Sequence, residues 1–453
     1  MNPVGWRAWA VGALGALQSA VLVWGSGAPT ATQLIAVLAA AALGGLALLW
    51  IAFDSRFAQT PLAWVICLAL VLRLIAVQAE PLLEDDHYRY LWDGMRTVQH
   101  FDPYRLAPSA YFGANDIAPQ WQDILSGINN PTIPTLYGPV LQALFALAHW
   151  LAPGRLSAIQ GLVLLADLGC IGLLARHGVG ARWLLVYALH PMILKEAMAS
   201  AHPDGLVALW LLLALLAWRH ERLLFTGVLL GLAVATKVAA LLVVPLFLFG
   251  PQRTITFWRT SSAVALGFVV ALGAAYLPFL AAGGSDGVGL QTFAAQWRFN
   301  PLLYRVVEAS VPDDLARPIA ALTIAAGVVV LMWRWRVMSV SAAGHDAVIP
   351  PVATAFLLLL LLAPVVNPWY ALWALGPAIA ARRALVPVMG CVSVLAYLNG
   401  SVLREAGWLS TSEPIAPYTV PWPVALIQVS AVVFAAAWVQ RSKSCKKTSD
   451  SSD

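Results

Sequence analysis

An all-α polytopic membrane protein is predicted, and three observations predict it. Hydrophobic residues make up 60% of the chain against 11% charged, apolar runs recur almost to the C-terminus, and Lys and Arg collect in short clusters between those runs. So little charge cannot cover the water-facing surface of a 453-residue protein, so the surface must face lipid. No stretch is polar and long enough for a separate soluble domain, and residues 1–440 read as one transmembrane domain. The net charge of +5 sits mostly at segment ends, as anchoring at a cytoplasmic face requires, and no basic stripe points to nucleic acid. Cys67, Cys170 and Cys391 lie in apolar runs and Cys445 in the tail, without metal-ligand spacing.

A spanning helix takes about 20 apolar residues. The runs 8–25, 31–53 and 61–79 come first. The first resembles a signal peptide with Arg7 as its basic flank, but a second run follows at once, so it reads as a retained span. Arg7 and the link holding Asp54 and Arg56 are then cytoplasmic, and the polar segment 80–137 lies outside. Positive clusters recur at 176–182, 219–222, 253–259, 334–336, 382–383 and 441–447. If all are cytoplasmic, an even number of crossings separates each pair. Residues 183–218 fit a hairpin with 200–204 at its outer apex, and 223–250 fit another with Thr236 and Lys237 at the apex. One helix over 223–250 would be about 42 Å long against a hydrocarbon core of about 30 Å. The same rule puts loop 282–313, turn 367–370 and loop 403–421 outside and the C-terminus inside. Between 138 and 176 the count fails: 138–152 and 156–175 read as two helices where an odd number of crossings is needed. In all, about 12 to 14 membrane helices are expected. The Ser, Lys and Asp after Gln440 predict a disordered cytoplasmic tail, 441–453.

The large outer segment carries the chemistry. Glu84, Asp85 and Asp86 are consecutive carboxylates where an apolar span meets the interface, which is costly unless they are used. On a helix starting here, Asp86, Tyr90 and Asp93 share a face, as do Asp85 and Arg89. An Asp beside Arg89 stays ionised at neutral pH, as a base or charge stabiliser must. Two other readings remain open: acidic residues favouring a helix N-terminus, and a divalent cation held by the acidic run, although three adjacent residues on a regular helix cannot all face one ion.

The block Asp85-Asp-His-Tyr-Arg-Tyr-Leu-Trp-Asp-Gly94 with Asp102-Pro-Tyr-Arg105 resembles the first-loop signature of polyprenyl-phosphate-sugar-dependent glycosyltransferases of the C superfamily, in particular bacterial polyprenyl-phosphate-mannose-dependent mannosyltransferases. Further pieces match in order: Ile128-Asn-Asn-Pro-Thr-Ile-Pro-Thr-Leu-Tyr-Gly-Pro139, His190-Pro-Met-Ile-Leu-Lys-Glu196, Ala201-His-Pro-Asp-Gly205, Ala235-Thr-Lys237 and Asn367-Pro-Trp-Tyr370. The likeness runs from about 80 to 380. It implies the glycosyltransferase C fold with a large first extracytoplasmic loop. It also implies a multi-pass protein of the bacterial inner membrane that takes a hexose, mannose by the family, from a polyprenyl-phosphate donor to a hydroxyl of a lipid or glycan acceptor at the outer face. The base would be Asp86, three residues before Arg89, with Asp85 as second choice.

An inverting transfer needs a carboxylate at the acceptor hydroxyl and cations for the departing phosphate. Arg89, Arg105, Lys237 and Arg298 or Arg305 are candidates for the second task, against interfacial anchoring. Lys237 stands out as a lone charge between two apolar arms. Substrate contacts are expected from Glu84, Tyr88, Trp92 and Asp93 in the segment, from His202 and Asp204 at the hairpin apex, and from Trp369 and Tyr370, against turn chemistry and an aromatic belt. Lys195 and Glu196 read as a pair that neutralise each other. No metal-ligand set is assigned, though a divalent cation stays open. A transporter or flippase for a lipid-linked or polar solute is the alternative function, disfavoured because the acidic cluster stands in one outer loop.

Overall fold

Helix follows helix along the whole chain of the computed structural model, which describes residues 4–115, 117–251, 256–341, 349–410 and 415–449. Helices α1 (Trp6–Gly25) and α2 (Thr30–Phe53) form the first hairpin, and α3 (Leu62–Ala76) returns to the other end. The polar segment folds as α4 (Asp86–His100) and α5 (Pro119–Ser126) around a small core of Trp92, Met95, Trp121, Leu125 and Ile128. Then come α6 (Pro139–Leu151), α7 (Leu156–Arg176), α8 (Ala181–Ala188) and a π-helical stretch, Ile193–Ala199. Helices α9 (Gly205–Arg219) and α10 (Leu223–Thr236) lead to a 3-10 stretch, Val238–Val243, and the short α11 (Val244–Leu248). Helix α12 (Phe257–Ala281) is followed by the loop helices α13 (Gly287–Gln296) and α14 (Tyr304–Ser310), then by α15 (Asp313–Ser341). Helices α16 (Val352–Leu362), α17 (Leu372–Ala380), α18 (Leu385–Ser393), α19 (Gly400–Glu405) and α20 (Trp422–Ser449) complete the fold. Among the described residues the sole β feature is an isolated bridge, Phe299 to Val365, which ties loop 297–300 to the turn before Pro368.

This is an all-α polytopic membrane protein. Among the described residues six helices, α1, α2, α7, α12, α15 and α20, are long and apolar enough to cross a bilayer unaided. Eight further passes are built from shorter pieces: α3, α8 with the π-helical stretch, α9, α10, 238–248, α16, α17, and α18 with its 3-10 extension. These break at 200–204, Lys237 and 367–370, where the hairpin apices were expected. Within the bundle Arg73 of α3 pairs with Asp167 of α7, which also accepts from Tyr187 of α8 at 2.8 Å. A buried charge in lipid needs such a partner, and this one clamps three helices.

The basic clusters gather at one end. Arg7 pairs with Asp54 at 3.0 Å, Arg182 donates to the Ile51 carbonyl at 2.9 Å, Arg382 donates to Gly178, and Arg336 lies over Phe257. Arg253 falls outside the described residues. The opposite, acidic end carries α4, the 200–204 turn, Lys237 and the 367–370 turn.

The parity problem between 138 and 176 is resolved by α6. Its first turn abuts the Ala235 and Thr236 carbonyls beside the Lys237 apex, and near its last turn His149 packs on Trp121 of α5. Both ends therefore stay at the acidic end. At 13 residues it is roughly 20 Å long. Leu147, Trp150 and Leu151 are exposed on it, and counting α7 as the one crossing here restores the parity. The tail differs from its expectation: α20 continues past Gln440 to Ser449, where Lys, Arg and Ser sit on a helix already nucleated in the apolar run. Residues 450–453 lie outside those described.

Candidate active site

Asp86 opens α4, with Asp85 as its N-cap residue. The Tyr137 hydroxyl donates to Asp86 Oδ2 at 3.1 Å, and the Asn129 amide donates to Asp86 Oδ1 at 3.0 Å and also to Asp85. One neutral donor thus bridges two adjacent carboxylates. Desolvation by burial, and then the charge of Asp86, push the Asp85 carboxyl up to about 6. Beside them, burial pulls His87 down to about 4, so this imidazole is neutral at pH 7.

Lys237 reaches the same place from α10, whose helix it ends in extended conformation. Its ammonium lies 4.5 Å from the centroid of the Tyr137 ring and 3.7 Å from Asp204 Oδ1, which also accepts from Trp373 at 2.6 Å. Tyr137 therefore meets Asp86 at its hydroxyl and Lys237 over its face. Gly138 makes this possible: a side chain there would collide with the Ala235 carbonyl, so the end of the polar segment and the apex of the second hairpin touch backbone to backbone.

Behind this pair His202 stacks on Trp369 at 4.0 Å and shares a 2.8 Å hydrogen bond through Nδ1 with Tyr90. Next to it Tyr397 bonds to Glu84 and, at 2.8 Å, to Glu196, and Lys195 pairs with Glu196 at 3.0 Å. Leu83, Asn130 and Ala201 hold positive φ of 59°, 46° and 57°. Each adjoins a site residue, Glu84, Asn129 or His202. Non-glycine residues in this region cost of order 1–3 kcal/mol and collect where a site is held in one geometry.

The structure brings together Glu84, Asp85, Asp86, His202, Asp204, Lys237 and Trp369. It places others elsewhere. Arg89 turns away from Asp86 to Asp93, at 3.2 Å, and to the Ile133 carbonyl, at 2.7 Å, and Gln142 of α6 donates to Asp93. Burial raises the Asp93 carboxyl, and Arg89 opposes that rise. Arg89 and Asp93 therefore fasten α4 to α6. Trp92 lies in the segment's own core, and Tyr88 packs on His87 at 4.1 Å and against Gly127. Arg105 is exposed beside Phe101 and Phe279, Arg298 is exposed and paired with Glu308, and Arg305 donates to the Pro301 carbonyl. Tyr370 stacks on Trp373 at 4.1 Å and braces the Asp204 partner. The residue pattern does not single out Asn129, Tyr137 or Tyr397, and it gives Glu196 only a partner role. The signal for the first two was their place in the block 128–139.

These features define a polytopic helical membrane protein with a carboxylate and a cation facing one tyrosine at one end of the bundle. Residues 4–250 match the family model described as alpha-(1->6)-mannopyranosyltransferase, N-terminal domain, and residues 308–404 match the MptB C-terminal domain. The chain belongs to the alpha-(1->6)-mannopyranosyltransferase family. It is 26% identical over 353 residues, 68% of its length, to alpha-(1->6)-mannopyranosyltransferase A of Mycobacterium tuberculosis, and that match spans 64% of the relative. No solved structure matches the chain.

Proposed function

We propose that this protein is an inverting mannosyltransferase of the bacterial inner membrane, using a polyprenyl-phosphate mannose donor and a hydroxyl of a lipid or glycan acceptor at the outer face. The observation that carries the reading is the shared contact of Asp86 and Lys237 with Tyr137. Asp86 accepts the acceptor's hydroxyl proton as that oxygen bonds to the anomeric carbon. The bond from this carbon to the phosphate oxygen breaks, and the electron pair leaves with the polyprenyl phosphate. Lys237 stabilises the charge that grows there. Family membership supports the sugar, and the basic clusters gathered at the opposite end support a cleft facing outward.

Purified protein in vesicles containing polyprenyl-phosphate mannose and a mannoside acceptor tests this. Formation of an elongated product with inverted anomeric configuration supports the reading; movement of donor across the bilayer without product overturns it in favour of a flippase.

A further inference from the structure

A second cluster adjoins the Asp86 site, where Tyr90 bonds to His202. Glu84, Glu196 and His202 offer one ligand atom each, all within 4.8 Å of one another. His202 Nε2 is 3.6 Å from Glu196 Oε2 and 3.9 Å from Glu84 Oε2. Those separations are too long for hydrogen bonds. Metal bonds of about 2.0–2.2 Å in tetrahedral array hold their ligand atoms roughly 3.3–3.6 Å apart, so small side-chain shifts close the set.

Two further observations point to an ion. His202 is fully buried, yet its Nε2 has no hydrogen-bond partner and faces the gap between the carboxylates. Tyr90 engages the other ring nitrogen, the arrangement that fixes a ligating imidazole: with the proton on Nδ1, Nε2 presents its lone pair. Tyr397 reaches both Glu84 and Glu196, yet its single proton serves only one of them, and Lys195 donates to Glu196 and Tyr397.

We propose that Glu84, Glu196 and His202 form a binding site for a first-row divalent cation, Zn²⁺ or Mn²⁺. The imidazole disfavours Mg²⁺ and Ca²⁺, which take oxygen ligands. Three protein ligands leave a coordination position open, as in zinc sites that bind a further group. The ion joins α4's leading loop, the π-helical stretch and the 200–204 turn. This assignment does not depend on which sugar or donor the protein uses.

The test is metal analysis of the full-length protein purified in detergent, stripped with chelator and reloaded with Zn²⁺. Wild type is expected to retain a stoichiometric amount after desalting, and Glu196→Gln and His202→Gln to bind more than about a hundredfold more weakly. Loss of metal from wild type, or equal retention by folded variants, overturns the proposal. Should the variants fail to fold, pulsed EPR of the Mn²⁺-loaded wild type decides: coupling to an imidazole nitrogen is expected, and a spectrum without it overturns the site.

Discussion

The Tyr137 hydroxyl donates to Asp86 Oδ2 at 3.1 Å, so the residue that closes the long polar segment holds the one that opens its first helix. Removing the carboxylate should remove the base: Asp86→Asn is expected to slow transfer about 10²–10⁴-fold in reconstituted vesicles. Tyr137→Phe leaves the base in place but loosens it, with an expected loss of about tenfold, the worth of one hydrogen bond to a charged group. Equal losses in the two variants would deny Asp86 its special role.

Lys237 and Arg89 should part company when mutated. Lys237→Gln is expected to lower kcat by about 10²-fold or more per folded molecule, because the ammonium acts on developing charge. Arg89→Met should instead destabilise the fold by about 3–5 kcal/mol, since it strands Asp93 without its buried partner. Arg298→Ala should alter neither property measurably, as an exposed pair contributes roughly 0–1 kcal/mol. Kinetics and thermal melting of the three variants in one detergent separate these outcomes.

His87 predicts a pH dependence of stability. Its folded imidazole is depressed from 6.5 to about 4, so between those values the unfolded chain binds a proton that the folded one refuses. Stability from this group is complete above pH 6.5 and falls as the pH drops toward 4. After discounting for partial exposure, the loss is about 1–2 kcal/mol. His87→Asn should flatten the melting temperature between pH 7 and pH 4.5 relative to wild type; an unchanged slope would show that other groups govern it.

Helices α10 and α12 touch through glycine. A side chain at Gly227 would strike the Val264 carbonyl, and one at Gly267 the Leu224 carbonyl. Small residues that admit close backbones are a main source of helix association in lipid. Gly267→Ala should destabilise by about 1–3 kcal/mol through overpacking. Because α10 ends at Lys237, the variant should also lose activity, measured as product formed per folded protein.

What the sequence made legible was the part written in runs and local spacing. Apolar stretches gave the passes, Lys and Arg gave their direction in pairs, and lone polar residues marked the apices at 200–204 and Lys237. The acidic run 84–86 and Lys237 stood out as charges where charge is expensive, and the family resemblance chose Asp86 within that run. What stayed hidden depends on distance along the chain. Nothing local tells that Tyr397 meets Glu84, 313 residues away, or that Glu196 turns toward His202 as well as Lys195. Arg89 shows the opposite difficulty: its partner Asp93 is one helical turn on, and an i, i+4 pair looks the same whether it serves a phosphate or fastens two helices.

Helix α6 bears on how such chains are counted. Residues 139–151 are apolar enough to be scored as a crossing, and scoring them so would reverse the sidedness assigned to every segment that follows. A helix that begins and ends on one side is therefore the phase reference for the C-terminal two-thirds of the molecule. A single reporter placed after Leu151, compared with one after His100, fixes the sign of all the rest.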